Sequence, residues 1–389
     1  MLLLIVGLIL FIGLVVVHEF GHFIMARRNG VDIEEFGIGF PPRIWKKRIK
    51  SPKGDYDFTI NLLPLGGFVR MKGEHDSDTT HGTFGAASLA AKSKIMVAGV
   101  VMNLITAFLL LTFLALIGIP KIVENQFTVA SDTKIARSEI IIGGVEKGSP
   151  AAKGGIQQAD HIVSLGQSGR EQKITSSKEL TAATSKNAGQ KVSITYTRKG
   201  EVRQGTTTIR STSEVEASKK TDNPKGYLGV YPTDYVIQRS TWSAPIVGAG
   251  LIKQFTVLTF QGLGNALKGL GGLIAGAATG NSEARSNGQK NASEQVSGPV
   301  GIFVILRDGS SLGFQFVLMI IAIISLTLAI MNILPIPALD GGRLWLTLAT
   351  RGLGRPISQE KEELINASGF LLLMLLIVLI TIVDVKRFF

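Results

Sequence analysis

Four long apolar runs without a single charge organise the chain, and they occupy residues 1–17, 95–120, 312–338 and 366–383. Each is about long enough for a helix to cross a hydrocarbon core of roughly 30 Å. We therefore predict four membrane spans. A further run at 242–277 is apolar but is interrupted by glycines and two lysines. This pattern is typical of an amphipathic surface segment, with a fifth span as the alternative.

The charges that flank the first run predict its orientation. It has no basic residues before it and no small-residue cleavage site, which favours a retained anchor over a secretory signal. Arg27, Arg28 and a basic cluster at 43–53 follow it, so the positive-inside rule places the N-terminus outside and residues 26–94 in the cytoplasm. Four spans return the C-terminus to the outside, although two basic residues in that tail run against the rule.

A short pair of strands is predicted in the cytoplasmic segment. Gly66 and Gly67 separate two apolar stretches, 60–63 and 68–71, and a glycine pair is typical of the turn of a β-hairpin. Pro64 limits the first strand to an edge of the sheet. Because an edge strand has unpaired backbone groups, another strand could pair with it.

The segment between the second and third spans has the composition of a folded outer domain. Period-two alternation and capping residues predict strands at 140–145, 161–165, 192–196 and 206–209, helices at 150–153 and 177–185, a linker or long loop at 211–225, and a flexible polar loop at 281–295.

Composition excludes several classes of function. The chain carries 41 Lys and Arg against 29 Asp and Glu, a formal charge of +12, but these basic residues are spread over both aqueous sides. Lipid headgroups therefore explain the charge better than nucleic acid, which we exclude as a partner. The chain has no cysteine, which excludes disulfides, a thiolate zinc site and a cysteine nucleophile.

The end of the first apolar run carries the candidate chemistry. His18, Glu19 and His22 form an HExxH motif, and residues four apart on a helix project from one face, so both imidazoles could reach one metal ion. Counting back from Arg27 places His18 roughly 13 Å below the interface. Ionisable groups at that depth are costly without a partner, which argues against an incidental polar helix.

A catalytic zinc ion takes three protein ligands and leaves one position for water, so a third ligand is expected elsewhere. Asp340 follows the third span, where Pro335 and Pro337 break the helix. Unwound backbone at membrane depth is tolerated where it lines a protein cavity. The alternative for Asp340 is a helix cap followed by a turn.

Together the two motifs resemble those of the bacterial site-2 proteases, a family of intramembrane zinc metalloproteases. HEFGH at 18–22 is similar to the HExxH of the family, and NILPIPALDG at 332–341 is similar to its NxxPxPxxDG motif. The resemblance implies that His18, His22 and Asp340 bind Zn²⁺. It also implies that Asn332 holds the substrate or the oxyanion.

Shorter segments carry weaker resemblances. Residues 65–73 resemble the membrane-associated hairpin of the family, which is thought to pair with an unwound substrate. Residues 99–103 resemble its GxxxN element, and the alternative for this segment is close helix packing through Gly99. Residues 297–302 resemble a further family segment without an assigned role. The residues expected to contact substrate are Gly66, Gly67, Phe68, Asn103, Pro335 and Pro337.

Residues 145–166, VEKGSPAAKGGIQQADHIVSLG, resemble part of a PDZ domain, including its glycine turn and Asp160. PDZ domains capture peptides or chain ends by strand addition, and here the domain could instead serve only as a steric filter. Tyr227 to Val230 could form its closing strand.

The expected fold is therefore a polytopic α-helical membrane protein with about four transmembrane helices, a cytoplasmic membrane-associated β-hairpin and one extracytoplasmic PDZ-like α/β domain. The predicted segments are a first span with HExxH at 1–25, a cytoplasmic segment at 26–94, a second span at 95–119, the PDZ-like domain at 127–232, an amphipathic segment and polar loop at 233–311, a third span at 312–338, the LDG motif and a cytoplasmic loop at 339–365, and a fourth span at 366–384.

The expected function is intramembrane proteolysis in the bacterial cytoplasmic (inner) membrane, with the active site toward the cytoplasm. Glu19 would take the proton of the attacking water, and Asn332 would donate to the oxyanion. The resemblance implies that the substrates are single-span proteins already shortened by another protease, such as an anti-sigma factor or a signal-peptide remnant. Two alternatives are a membrane-anchored PDZ scaffold without catalysis and a transporter, although no internal repeat favours the latter.

Overall fold

A computed structural model describes residues 2–74, 78–198, 200–221, 224–283, 298–353 and 358–388. The chain divides into two compact units: Met1–Phe113 together with Pro245–Phe389, and Leu114–Ala244. In chain order the elements are α1 (Leu2–Arg28), β1 (Ile33–Ile49), β2 (Tyr56–Met71), α2 (Leu89–Ile117), β3 (Ile119–Pro120), β4 (Lys134–Val145), α3 (Pro150–Lys153), β5 (His161–Gln167), β6 (Arg170–Lys173), α4 (Ser177–Lys186), β7 (Lys191–Arg198), β8 (Glu201–Thr208), α5 (Thr212–Ser218), β9 (Val230–Arg239), α6 (Ala244–Thr279), α7 (Pro299–Gly309), a 3₁₀ turn (Ser310–Leu312), α8 (Phe314–Ile333), α9 (Asp340–Gly352) and α10 (Gln359–Phe388).

Five helices of the described chain are long and apolar enough to cross a membrane: α1, α2, α6, α8 and α10. The prediction of a helical membrane protein is confirmed at this level. Each of the four predicted spans coincides with one of these helices, although α2 ends at Ile117 and α8 at Ile333, before the predicted ends at 119 and 338. The fifth helix, α6, covers the run that the sequence assigns to a surface segment. It is the least apolar of the five and contains Lys253 and Lys268.

The helices of the first unit pack through small residues and branched side chains. A Cβ added to Gly7 of α1 would lie 3.2 Å from Val317 of α8 and 3.3 Å from Leu306 of α7, so α1 and α8 begin side by side. Leu4 and Leu14 are buried in the same cluster. The beginning of α2 lies beside the end of α1, since His22 of α1 contacts the carbonyl of Ile95.

The sheet formed by β1 and β2 differs from the predicted hairpin. Ile38 of β1 pairs with Ile60 on one side and with Gly67 on the other, so the two halves of β2 flank β1 and do not pair with each other through a turn at Gly66. Gly66 still bends the chain, with a φ of +145°, a value that favours glycine. The sequence located the bend but not the strand that separates the two halves, because that strand is more than 20 residues away.

The second unit is built on a seven-stranded sheet with the order β3-β9-β4-β5-β7-β8, and β6 pairs with β5. Its four predicted strands and two predicted helices are present within β4, β5, β7, β8, α3 and α4, with ends that shift by a few residues. Inward-facing side chains such as Ile140, Leu165 and Ile194 form a buried core. The assignment of this unit to the PDZ fold stays a prediction.

Two of the three segments that the sequence predicts as loops contain helices. The linker at 211–225 contains α5, whose first turn is closed by a capping box between Ser211 and Glu214, a pairing that stabilises short helices. The cytoplasmic loop at 339–365 contains α9 and the start of α10. The polar loop at 281–295 lies almost wholly outside the described residues.

Candidate metal centre

The histidines of the HExxH motif project from one buried face of α1. His18 is 7% exposed and His22 is 6% exposed, and their Nε2 atoms lie 3.2 Å apart. No charged residue interrupts α1 before them, and Arg27 and Arg28 complement the negative end of its helix dipole. The helix therefore presents two imidazole nitrogens to the protein interior.

Asp340 reaches the same point from the other end of the chain. Helix α8 ends at Ile333, and the chain runs as a proline-containing loop until Asp340 begins α9. A Cβ at Gly341 would lie 2.3 Å from the carbonyl oxygen of Leu334, and one at Gly342 would lie 2.1 Å from that of Ile336. Only glycines at these positions let α9 start directly against the loop.

The three side chains converge on one point. The Oδ2 atom of Asp340 lies 2.8 Å from Nε2 of His18 and 3.1 Å from Nε2 of His22. Within the described chain these three residues form the group whose ligand atoms could hold a metal ion, all within 4.8 Å of one another. Tetrahedral zinc with bond lengths of about 2.05 Å separates its ligands by ~3.3 Å, so this group needs to open by only a few tenths of an ångström.

Helix α2 packs against both histidines. The Nδ1 atom of His22 lies 2.8 Å from the carbonyl oxygen of Ile95, which leaves Nε2 free to bind a metal. A Cβ at Gly99 would lie 2.6 Å from Nε2 of both His18 and His22. The absence of a side chain at Gly99 therefore makes room for the metal centre itself.

A cavity of about 230 Å³ opens beside the three ligands. Glu19 and Asn332 both line it, as do His18, Asp340 and Asn103. The backbone N–H of Val69 in β2 lies near the Glu19 carboxylate. The cavity thus brings together His18, Asp340, Glu19 and Asn332, and of the residues with a predicted role in metal binding or acid–base chemistry His22 alone is not among its lining.

Most of the other residues expected to contact substrate, namely Gly66, Gly67, Phe68, Pro335 and Pro337, are not among the residues that line this cavity. Gly66 and Gly67 rest on α1, where a Cβ would meet Val15 and Glu19 respectively. The ring of Phe68 covers Gly37 and lies 6.5 Å from the ring of Phe40. Of the two prolines, Pro337 packs against Gly369 of α10. Asn103 is the exception, since it lines the cavity and contacts His18.

Two contributors to the site carried no signal in the sequence: the carbonyl of Ile95 and the N–H of Val69. Both are backbone groups, and any residue type supplies them. Gly99 was predicted as part of a GxxxN element, with close helix packing as the alternative, and its position beside the histidines was not predicted because it depends on how α2 crosses α1.

Comparison with known proteins agrees with this geometry. The chain matches Peptidase family M50 over residues 6–376. It is 30% identical to a protein of Clostridium acetobutylicum described as a candidate zinc metalloprotease, over 98% of this chain and 96% of that one. It is 29% identical to the zinc metalloprotease RasP of Shouchella clausii, over 98% of both chains, and 25% identical to RasP of Geobacillus kaustophilus, over 98% and 97%. These matches extend over nearly the whole chain, and we conclude that it belongs to peptidase family M50, the site-2 proteases.

Proposed function

We propose that this protein is an intramembrane zinc metalloendopeptidase that hydrolyses peptide bonds in the membrane spans of single-span proteins. The observation that carries the proposal is the convergence of His18, His22 and Asp340 next to Glu19, in a cavity at the ends of two apolar helices. Ionisable groups at such a position are typical of a functional site.

The donor set fits zinc. Two imidazoles and one carboxylate make a three-ligand site that leaves a fourth position open, as catalytic zinc requires. When bound, zinc supplies Lewis-acid chemistry, which polarises a peptide carbonyl and acidifies water. His18, His22 and Asp340 would hold the ion, and the open side of the site faces the cavity that Glu19 lines.

The residues of the cavity divide the remaining chemistry between them. Glu19 accepts the proton of the attacking water and returns it to the leaving amine, a role that general acid–base catalysis assigns to a carboxylate within hydrogen-bonding reach. The amide of Asn332 donates a hydrogen bond to the oxyanion that develops on the scissile carbonyl. Both side chains line the same cavity, which supports these roles.

The substrate must lose helical structure before it can be cut, because the carbonyls of an intact helix are engaged within it. The bend of β2 at Gly66 and Gly67 lies against α1 at Val15 and Glu19, so a strand added along β2 would lie beside the cavity. We infer that the substrate binds as such a strand. We further propose that the substrates are first shortened by another protease, as an anti-sigma factor or a signal-peptide remnant would be.

The orientation that we propose has four crossing helices in the bacterial inner membrane, with α6 along the outer surface. Helices α2 and α10 both run away from the metal centre. At the beginning of α6, a Cβ at Gly248 would lie 2.6 Å from Thr112, near the end of α2. After α6, the backbone N–H of Gly298 donates a hydrogen bond to Asp384, near the end of α10. The chain before and after α6 is thus at the same end of the bundle. If α6 crossed, the polar residues 280–297 would have to cross back through the bilayer, which is highly unfavourable.

The proposal is tested with the full chain purified in detergent, a panel of single-span helices as substrates and a zinc determination. We expect one zinc ion per chain and cleavage within the span. Glu19→Gln should retain zinc and lower the cleavage rate at least ~100-fold, the usual contribution of a catalytic base. Glu34→Gln, which alters an exposed carboxylate of β1, is the matched control and should cleave normally.

Two results would contradict the proposal. A wild-type chain without zinc or cleavage would favour the membrane-anchored scaffold. Cleavage that Glu19→Gln leaves unchanged would remove Glu19 from the mechanism.

A further inference from the structure

The amide of Asn103 lies against the ring of His18 in a fully buried position. Its exposed fraction is 0%, and its Nδ2 atom is 3.3 Å from Nδ1 of His18. The other amide atom, Oδ1, has no hydrogen-bond partner among the described residues. The backbone at this point is held in place, since the carbonyl of Asn103 accepts a 2.8 Å hydrogen bond from the hydroxyl of Ser325 in α8.

This arrangement conflicts with the chemistry of a metal-binding histidine. A neutral imidazole has one N–H and one lone pair. The Nε2 atom of His18 faces Asp340 and His22, so its lone pair is the one that a metal would take. Its Nδ1 atom must then carry the proton and requires an acceptor, whereas an amide nitrogen offers only further protons.

The conflict disappears if the amide is turned by half a rotation. The oxygen and nitrogen ends of an asparagine side chain have nearly the same shape, so their positions follow from the hydrogen bonds they make. In the present orientation Oδ1 has no hydrogen-bond partner among the described residues, so the contact with His18 decides between the two orientations. We infer that Oδ1 of Asn103 accepts the Nδ1–H of His18, which makes Asn103 a positioning residue that fixes the metal-binding tautomer of this histidine.

His22 provides an independent parallel. Its Nδ1 atom faces the carbonyl oxygen of Ile95, an acceptor that cannot turn around. Ile95 and Asn103 belong to the same helix, so α2 supplies the acceptor for both imidazoles. Such outer hydrogen bonds hold the ring orientation and raise the basicity of the ligand, and their loss typically costs 10–100-fold in metal affinity.

This inference rests on the proposed zinc site, and the test compares the zinc dissociation constants of four full-length proteins by chelator competition at one pH. Asn103→Leu removes the acceptor at similar volume and should weaken zinc binding 10–100-fold. Asn103→Asp keeps an acceptor and removes the N–H groups, so its zinc affinity should stay within about threefold of wild type or exceed it. Thr106→Val is the matched control, because the hydroxyl of Thr106 bonds only within α2 to Met102.

Two further measurements separate positioning from general damage. The ligand-field spectrum of the Co²⁺-loaded protein should change for Asn103→Leu and remain that of wild type for Asn103→Asp. Thermal unfolding of the metal-free proteins reports folding. If Asn103→Leu does not fold, the Asp variant still decides the matter.

Equal losses of zinc affinity in the Leu and Asp variants would show that the amide N–H is the functional group and would overturn the inference. Wild-type affinity in the Leu variant would also overturn it while leaving the proposed function intact. If the wild-type chain binds no zinc, the proposed function fails first, and the two failures are thereby distinguished.

Discussion

Gly99→Ala is expected to empty the metal centre with little effect on the rest of the fold. The added Cβ would lie 2.6 Å from Cε1 and Nε2 of His18 and from Nε2 of His22. Carbon and nitrogen atoms in ordinary contact are about 3.5 Å apart, so the rings must retreat by roughly 0.9 Å. Metal sites tolerate distance changes of only about 0.2 Å. At least one imidazole would therefore lose its bond to the ion.

The size of the effect follows from the loss of one ligand. Structural zinc sites with four ligands bind with about 10–16 kcal/mol, or ~3 kcal/mol for each ligand. Since 1.4 kcal/mol corresponds to a factor of ten, the zinc dissociation constant should rise about 100-fold or more. The measurements are zinc content after purification and chelator competition on the full-length protein.

Gly13→Ala is the matched control for this substitution. Gly13 also lies in a membrane-spanning helix, and an added Cβ there meets no atom within 4 Å. Zinc binding should be unchanged, and thermal unfolding of both metal-free variants should stay close to wild type. Full zinc occupancy with a wild-type dissociation constant in Gly99→Ala would refute the placement of Gly99 against the histidines.

Two other predictions concern the second unit and the proposed orientation in the membrane. Asp132 accepts hydrogen bonds from Ser243 and Thr241, which hold the pKa of its carboxyl below the ordinary value. The ionised carboxylate therefore contributes its full stabilisation of the fold above about pH 4, and this contribution is lost as the pH falls through the lowered pKa. The difference in Tm between wild type and Asp132→Ala should therefore be largest near neutral pH and shrink toward pH ~2, and a pH-independent difference would contradict this reasoning. Because the chain has no cysteine, a single introduced cysteine can be labelled specifically. A membrane-impermeant maleimide should label Asn281→Cys in intact spheroplasts. It should label Lys53→Cys only after the membrane has been permeabilised. Labelling of Asn281→Cys only after permeabilisation would mean that α6 crosses.

Local patterns along the sequence were enough to predict four of the five long apolar helices and the motifs of the candidate site. Runs of about 20 apolar residues predict membrane helices because no other single segment satisfies its backbone in lipid, and the helices follow those runs closely. The spacing of His18 and His22 fixed their common face for the same local reason. The unwound loop before Asp340 was likewise predictable from Pro335 and Pro337, which cannot continue a helix.

The tertiary structure decided which distant groups meet. His18 contacts Asp340 across 322 positions, and His22 contacts the Ile95 carbonyl across 73. The insertion of β1 between the halves of β2, the place of Gly99 beside the imidazoles and the contact of Asn103 with His18 all depend on how elements pack. Periodicity is a local property, whereas these contacts depend on crossing angles and on backbone groups that every residue type shares. For that reason the sequence pointed to the three candidate metal ligands, and only the folded chain revealed the groups that contact them.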